Sequence, residues 1–139
     1  METTTNMSMR PSPIFVEIAA GELIDKITIL EIKKQRIVDE AKLRNVTAEL
    51  AELSAVRAQA LAGSAALDQL TSELKAVNEI LWSIEDSIRD HERAKDFGHA
   101  FVELARQVYL TNDRRSALKR QINDLVGSRF TEEKSYADY

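Results

Sequence analysis

Apolar residues recur at alternating steps of three and four in the stretch from Leu67 to Lys95. This spacing keeps them on one face of a helix, and the positions are Leu67, Leu70, Leu74, Val77, Leu81, Ile84 and Ile88. A second, mainly polar stripe runs beside this seam, also at helical spacing, and consists of Asn78, Trp82, Glu85 and Arg89. The seam predicts a helix inside a bundle, and the stripe is a candidate surface for a ligand or partner.

The same periodicity predicts two further helices, so that the three together span about residues 21–62, 65–95 and 98–126. Gly63 and Gly127 are natural helix terminators, and Ser64 is a suitable cap for the helix that follows. The apolar seam slips by about one residue near the middle of the first helix, as in a long helix whose heptad is interrupted. A helix that continues through Gly98 remains an alternative.

Short breaks between long amphipathic helices favour antiparallel neighbours. We therefore expect an all-α fold, an antiparallel three-helix bundle with one long first helix and coiled-coil-like packing. Residues 14–127 form the single helical domain, which opens with a short extended segment, IFVEI, from Ile14 to Ile18. Residues 1–13 are expected to be a mobile N-terminal tail, and residues 128–139 a C-terminal tail.

The predicted register leaves residues 21–33 of the first helix projecting beyond the other two. This end is apolar on most sides, since it carries Leu23, Ile24, Ile27, Ile29, Leu30 and Ile32. An exposed helix end of this kind needs a cover. The segment IFVEI supplies part of it, and we expect a second subunit to supply the rest. The sequence therefore predicts a homodimer joined through the region from Ile14 to Ile32.

Composition narrows the classes of function. The chain has 139 residues, 44% of them hydrophobic, and a net charge of −4, which gives no attraction to nucleic acid. It has no cysteine, and hence neither a disulfide nor a thiolate metal site. No stretch approaches the roughly 18 uncharged apolar residues of a membrane helix, and no signal peptide is recognisable. We expect a cytoplasmic protein without a membrane span.

The candidate site combines aromatic rings with amides and charges, a mixture typical of a polar-ligand or sugar pocket or of an interface. Trp82 and Tyr109 both lie off the apolar seams of their helices. Arg115 interrupts the seam of the third helix and needs a partner, for which the register favours Glu85. The alternative is that Trp82 covers the flank of the bundle while the charges pair within helices. The candidate residues are Asn78, Trp82, Glu85, Arg89, Tyr109, Asn112, Arg115 and Lys119.

No catalytic residue, metal site or cofactor is predicted. The spacings Glu22-x-x-Asp25 and Glu49-x-x-Glu52 resemble the paired acids of helical metal-dependent pyrophosphatases, but they lie too far apart on one helix to share a magnesium ion. His91 and His99 lack a third zinc ligand. A basic cluster, Arg114, Arg115, Lys119 and Arg120, could hold phosphate, but no glycine-rich phosphate loop accompanies it.

Three strings resemble a small bacterial family known as a domain of unknown function. They are GELIDKITILEIKKQRI, NEILWSIEDSIRD and KDFGHAFVELARQVYLTNDRRSALKRQIN, and the resemblance extends from Ile14 to Tyr136. It implies a compact helical protein, in a family some of whose members lie beside or are fused to glycosyltransferases of cell-surface polysaccharide pathways. The string LWSIEDSIRD is also similar to a second uncharacterised helical family. Neither resemblance implies a reaction.

These observations favour a non-catalytic helical interaction or scaffold module. By resemblance, its partner belongs to cell-surface polysaccharide or lipopolysaccharide assembly. The alternative is a small helical ligand-binding protein or enzyme with a polar Glu/Arg/Asn site that acts on a phosphate- or sugar-bearing small molecule. A concave arrangement of the candidate residues would favour this alternative, and a flat or convex arrangement would favour the module.

Overall fold

The computed structural model describes residues 11–139, which are helical and without strands. Four helices follow one another there, and we number them α1 (Ala20–Arg36), α2 (Glu40–Ala60), α3 (Ala65–Ala94) and α4 (His99–Val126). The predicted all-α class is confirmed. The predicted count of three is not, because the long first helix is divided in two at residues 37–39.

The division at residues 37–39 has local causes. Ile37 leaves helical geometry at φ −78° and ψ 135°, while its N–H still bonds to the carbonyl of Lys33. Asp39 then caps the next helix, because its carboxylate accepts a hydrogen bond of 2.9 Å from the backbone N–H of Lys42. Aspartate favours a cap over a helix interior. The slip in the apolar seam therefore marks a reversal of the chain, and the prediction of one interrupted helix is wrong.

Helix α1 is the central helix of the described residues, because α2, α3 and α4 all pack against it. Its apolar side chains are buried on most sides, and Asp25 and Thr28 are buried with them. The predicted projection of residues 21–33 is therefore wrong: this chain covers them itself. The buried apolar residues of α1 are Ala20, Leu23, Ile24, Ile27, Leu30 and Ile32.

Helix α2 packs mainly along α1, with Arg57 also in contact with α3, so only a narrow stripe of it is covered. Val46 is its one buried residue, with Leu43, Leu50 and Leu53 half-buried on the same face. Helices α3 and α4 pack against each other as a hairpin. With 30 residues against 17 in α1, α3 is about 20 Å longer than α1.

The sequence signals at the ends of α3 are largely confirmed. Ser64 caps the helix, since its hydroxyl oxygen accepts a hydrogen bond of 3.0 Å from the N–H of Leu67. At the other end Lys95 adopts a left-handed conformation, with φ 53°. The ring of Phe97 then packs edge-on against Phe101 in the first turn of α4, with 5.2 Å between ring centroids.

The N-terminus of α1 is capped by residues from the far end of the chain. The backbone N–H of Gly21 donates to the side-chain oxygen of Asn123 at 2.7 Å, and that of Ala20 donates to the Ser128 hydroxyl at 2.9 Å. Glycine is required at position 21, because a Cβ there would lie 2.4 Å from the carbonyl oxygen of Lys119. The close approach of α1 and α4 thus depends on a missing side chain.

The described residues before α1 have no regular secondary structure. Ile14, Phe15 and Val16 are 88%, 89% and 74% exposed. Glu17 accepts two hydrogen bonds from Arg129, at 2.6 and 3.0 Å, which tie the segment to the residues after α4. The segment IFVEI therefore has no strand partner and covers no helix within residues 11–139. Most of the predicted mobile tail, residues 1–10, lies outside the described residues.

Candidate functional site

A buried carboxylate joins three helices at the centre of the molecule. The Asp25 side chain is 4% exposed and forms a two-pronged pair with Arg115, whose Nε lies 2.9 Å from Oδ1 and whose Nη2 lies 2.5 Å from Oδ2. The hydrogen bond to Asp25 raises the pKa of Arg115, while burial acts in the opposite direction. The arginine in the apolar seam of α4 therefore has a partner, on α1.

Asn78 of α3 completes this network. Its amide nitrogen donates to Asp25 Oδ1 at 3.0 Å and to the Thr28 hydroxyl at 2.9 Å. Thr28 in turn donates to the backbone carbonyl of Asp25 at 2.8 Å. The carboxylate thus accepts three hydrogen bonds from side chains on α3 and α4. The network fixes the positions of α1, α3 and α4 relative to one another.

The predicted pairing of Arg115 with Glu85 is wrong. Glu85 is exposed and forms its ion pair with Arg89, one turn further along α3. Asp25 was missed because an acid in the first turns of a helix is ordinarily explained by the helix dipole. One signal could have identified it, since Asp25 lies among apolar residues on a helix that is apolar on most sides, where a charge needs a partner.

The eight predicted site residues divide into three groups. Asn78 is buried in the Asp25 network. Trp82, Glu85 and Arg89 lie on the outside of α3, where the guanidinium carbon of Arg36 lies 5.9 Å from the centroid of the Trp82 ring. The remaining four residues, Tyr109, Asn112, Arg115 and Lys119, line one cavity along α4. The stripe on α3 and the face of α4 are therefore separate features.

The cavity has a volume of about 1310 Å³ and lies between α4 and the C-terminal segment, residues 132–139. This segment runs back along α4, so that Glu132 lies near Lys119 while Tyr139 reaches Asp113. The lining of the cavity combines the four predicted residues with Val108, Asp113, Ser116 and residues 132–139. Sequence reasoning missed the contribution of the segment, because no periodicity shows where a non-helical tail lies.

Asp113 is the main attachment point of the C-terminal segment. Lys134 Nζ lies 2.5 Å from Asp113 Oδ1, and the Tyr139 hydroxyl donates to Oδ2 at 2.5 Å. The hydrogen bond from Lys134 has the larger effect on the pKa of Asp113, and together with that from Tyr139 it lowers this pKa. The hydrogen bond to Asp113 in turn raises the pKa of Tyr139. The Tyr139 ring also packs on Tyr109, with 5.2 Å between centroids.

Every cation of the cavity wall already has a carboxylate partner. Arg115 pairs with Asp25, Lys134 with Asp113, and Lys119 with both Glu22 at 2.7 Å and Glu132 at 3.4 Å. A phosphate bound here would have to displace one of these carboxylates. The basic cluster noted in the sequence therefore presents little uncompensated positive charge to the cavity.

Residues 11–139 contain no group of three or more histidine and acidic side chains that could hold a metal ion. None of the helices in this part of the chain is both long and apolar enough to cross a membrane.

Comparison with known proteins gives one match. Residues 14–138 match DUF6165, a family of unknown function. No curated protein and no solved structure matches the chain. The match begins at the first residue of the exposed segment IFVEI and ends one residue before Tyr139, so it includes both non-helical segments that flank the four helices.

Proposed function

The chain belongs to the DUF6165 family, and from that premise we propose that it is a non-catalytic interaction module. In this proposal two copies join through the extended segment from Ile14 to Ile18. The observation that carries the proposal is the exposure of Ile14, Phe15 and Val16 within the part of the chain that the family shares. Three adjacent large apolar side chains in water favour a partner that covers them.

The backbone of the segment supports pairing with another strand. Residues 11–18 make no backbone hydrogen bond to any other part of the described chain. Their N–H and C=O groups are therefore available for a ladder, as at the edge of a sheet. Pro13 has no N–H and therefore limits that ladder to about five residues.

Charge favours a second copy in antiparallel orientation. Antiparallel pairing centred on Val16 places Ile14 opposite Ile18 of the copy, and Phe15 opposite its Glu17. Glu17 is held by Arg129, so the ring of Phe15 meets a neutralised pair. Parallel pairing would place the two Glu17 carboxylates side by side. The proposed interface is narrower than the predicted one from Ile14 to Ile32, because residues 20–32 are in the core of their own chain.

The association state in solution tests this proposal. Five paired residues bury less than the roughly 1,200 Å² of a stable interface, so we expect a dimer that dissociates on dilution, measured by analytical ultracentrifugation. Val16→Asp should give a monomer at every concentration. The matched control is Val56→Asp on α2, where the side chain is also exposed, and it should leave the dimer unchanged. A native protein that stays monomeric at high concentration would overturn the proposal.

For the cellular setting we propose a cytoplasmic accessory role in cell-surface polysaccharide or lipopolysaccharide assembly. The support is the resemblance of three sequence segments to a family some of whose members lie beside or are fused to glycosyltransferases of cell-surface polysaccharide pathways. Deletion of the gene should change the amount or length distribution of surface polysaccharide on gels. Complementation with the Val16→Asp variant should fail if the dimer is the working form. An unchanged polysaccharide profile in the deletion strain would contradict this role.

One observation favours a second candidate function, a ligand-binding protein. Half of the predicted site residues line the cavity of about 1310 Å³, a concave arrangement. The ligand predicted from the sequence is a phosphate- or sugar-bearing small molecule. A thermal-shift screen of nucleotide sugars tests this prediction. A shift that is lost in Asn112→Ala would support it. The absence of any shift would favour the module.

A further inference from the structure

We propose that the cavity between α4 and the C-terminal segment binds an organic ammonium group, at the place that the side chain of Lys134 now occupies. This inference does not depend on the proposed dimer, because the cavity and the segment IFVEI lie on different parts of the chain. It rests on the partners of Lys134, on the charge of the cavity wall, and on the space beside it.

The partners of Lys134 are those that recognise an ammonium group. Its Nζ lies 2.5 Å from Asp113 Oδ1 and 5.4 Å from the centroid of the Tyr136 ring. A carboxylate together with the face of an aromatic ring attracts a cation through charge and through the quadrupole of the ring. Tyr139 donates to the other oxygen of Asp113 and keeps the carboxylate in place.

The charge of the wall favours a cation over an anion. The lining contains four carboxylate side chains, Asp113, Glu132, Glu133 and Asp138, and three cationic ones, Arg115, Lys119 and Lys134. Two of these cations are further neutralised from behind, Arg115 by Asp25 and Lys119 by Glu22. Once Lys134 leaves, the wall therefore has an excess of negative charge next to Asp113.

The structure also provides space and a means of exchange. A volume of about 1310 Å³ exceeds the roughly 300–1,000 Å³ of ordinary small-molecule sites. The segment has no helix or strand, and side-chain contacts such as those of Glu132, Lys134 and Tyr139 hold it against α4. An external ammonium can thus replace that of Lys134 without disturbing a helix. The family match extends to residue 138, so this segment belongs to the shared domain.

The test compares the removal of two lysine side chains, one inside the cavity and one outside it. Cadaverine, a diamine that resembles the lysine side chain, is titrated into the full chain, and amide NMR shifts along α4 give the dissociation constant. Lys134→Met frees Asp113 and should tighten binding at least about threefold. Lys42→Met removes the same charge from an exposed residue of α2 that does not line the cavity, and should leave binding unchanged. Asp113→Asn should weaken binding at least about fivefold.

Other outcomes would overturn the proposal. An equal gain in Lys134→Met and Lys42→Met would show general attraction to an acidic protein, with no defined site. Weaker binding to Lys134→Met would mean that this lysine is needed to form the cavity. Inorganic phosphate and maltose are titrated in parallel, and stronger shifts with either one would assign the cavity to an anion or a neutral sugar. If Asp113→Asn unfolds, as circular dichroism would show, the comparison of the two methionine variants decides alone.

Discussion

At the scale of single residues, Asp25 is a buried charge that links three helices. A carboxylate buried among apolar side chains is costly unless donors surround it, and Arg115 and Asn78 supply those donors. They come from two other helices, while Thr28 bonds to the backbone carbonyl of Asp25 and accepts from Asn78. The position of the helices relative to one another is thereby fixed at one level of the bundle.

Arg115→Ala should lower the free energy of unfolding by about 3 kcal/mol, because it leaves the Asp25 carboxylate buried and short of its charged partner. This is the lower end of the roughly 3–5 kcal/mol that removal of one partner of a buried ion pair costs, because the Arg115 side chain is 30% exposed. Urea denaturation measures the loss. Arg89→Ala is the matched control, and removal of this exposed ion pair with Glu85 should cost less than about 1 kcal/mol. Equal losses in the two variants would contradict the central role of Asp25.

Gly21→Ala should destabilise the protein by about 1–3 kcal/mol, the usual cost of overpacking. The added methyl group would lie 2.4 Å from the Lys119 carbonyl oxygen and 2.9 Å from the Asn123 side-chain oxygen. Gly63→Ala is the control, because nothing lies within 4 Å of a Cβ there, and it should be neutral or stabilising. Thermal unfolding followed by circular dichroism distinguishes the two. A neutral Gly21→Ala would mean that α1 and α4 can separate without cost.

The attachment of the C-terminal segment should depend on pH at both extremes. The pKa of Asp113 is lowered from its ordinary 3.8, so its contacts persist above that value and are lost as the pH falls through the lowered pKa. The pKa of Tyr139 is raised from its ordinary 10.0, so its contact persists below that value and is lost as the pH rises through the raised pKa. NMR titration of the Tyr139 ring should show a pKa above 10.0 that falls towards the ordinary value in Asp113→Asn. A native Tyr139 with an ordinary pKa would contradict this attachment.

At the scale of elements, the sequence predicted α3 and α4 within one residue at each end. Their seams are long and regular, and Ser64, Gly63 and Gly127 mark their limits. The prediction of one long first helix is wrong because the chain turns between its two apolar seams. The helical spacing of apolar residues indicates which residues share a face. A shift of that spacing by one residue has two explanations, an interrupted heptad within one helix and a turn between two helices. Only the cap at Asp39 distinguishes them, and aspartate is also common on exposed helix faces.

Asp39→Ala should cost about 1 kcal/mol, because it removes the hydrogen bond that caps α2. Urea denaturation measures the change in the native chain and the variant. Glu52→Ala, at an exposed position inside the same helix, should be close to neutral. Hydrogen exchange of the first α2 amides should also accelerate in Asp39→Ala. If both substitutions have the same effect, the division of the two helices does not depend on this cap.

At the scale of the whole molecule, the sequence established that the chain is helical but not how its helices are arranged. The sequence correctly indicates the apolar surface of α1, but the predicted cover, the segment IFVEI together with a second subunit, is wrong. In the structure the same surface is covered by α2, α3 and α4. Which faces meet is a non-local property, decided by contacts such as those of Asp25 with residues 53 and 90 positions away in the chain. For the cavity along α4, the sequence predicted residues of the helical wall, because the apolar and polar positions there follow the period of a helix. It did not predict the other wall, residues 132–139, because that segment has no periodic pattern.

The caps of α1 have a consequence for synthesis on the ribosome. This helix is made before the other three, yet the groups that satisfy its first N–H donors, Asn123 and Ser128, are made more than one hundred residues later. Until then its apolar side chains have no complete cover, and the nascent chain is exposed to aggregation. Of the four helices, the central one is thus translated first and completely covered last.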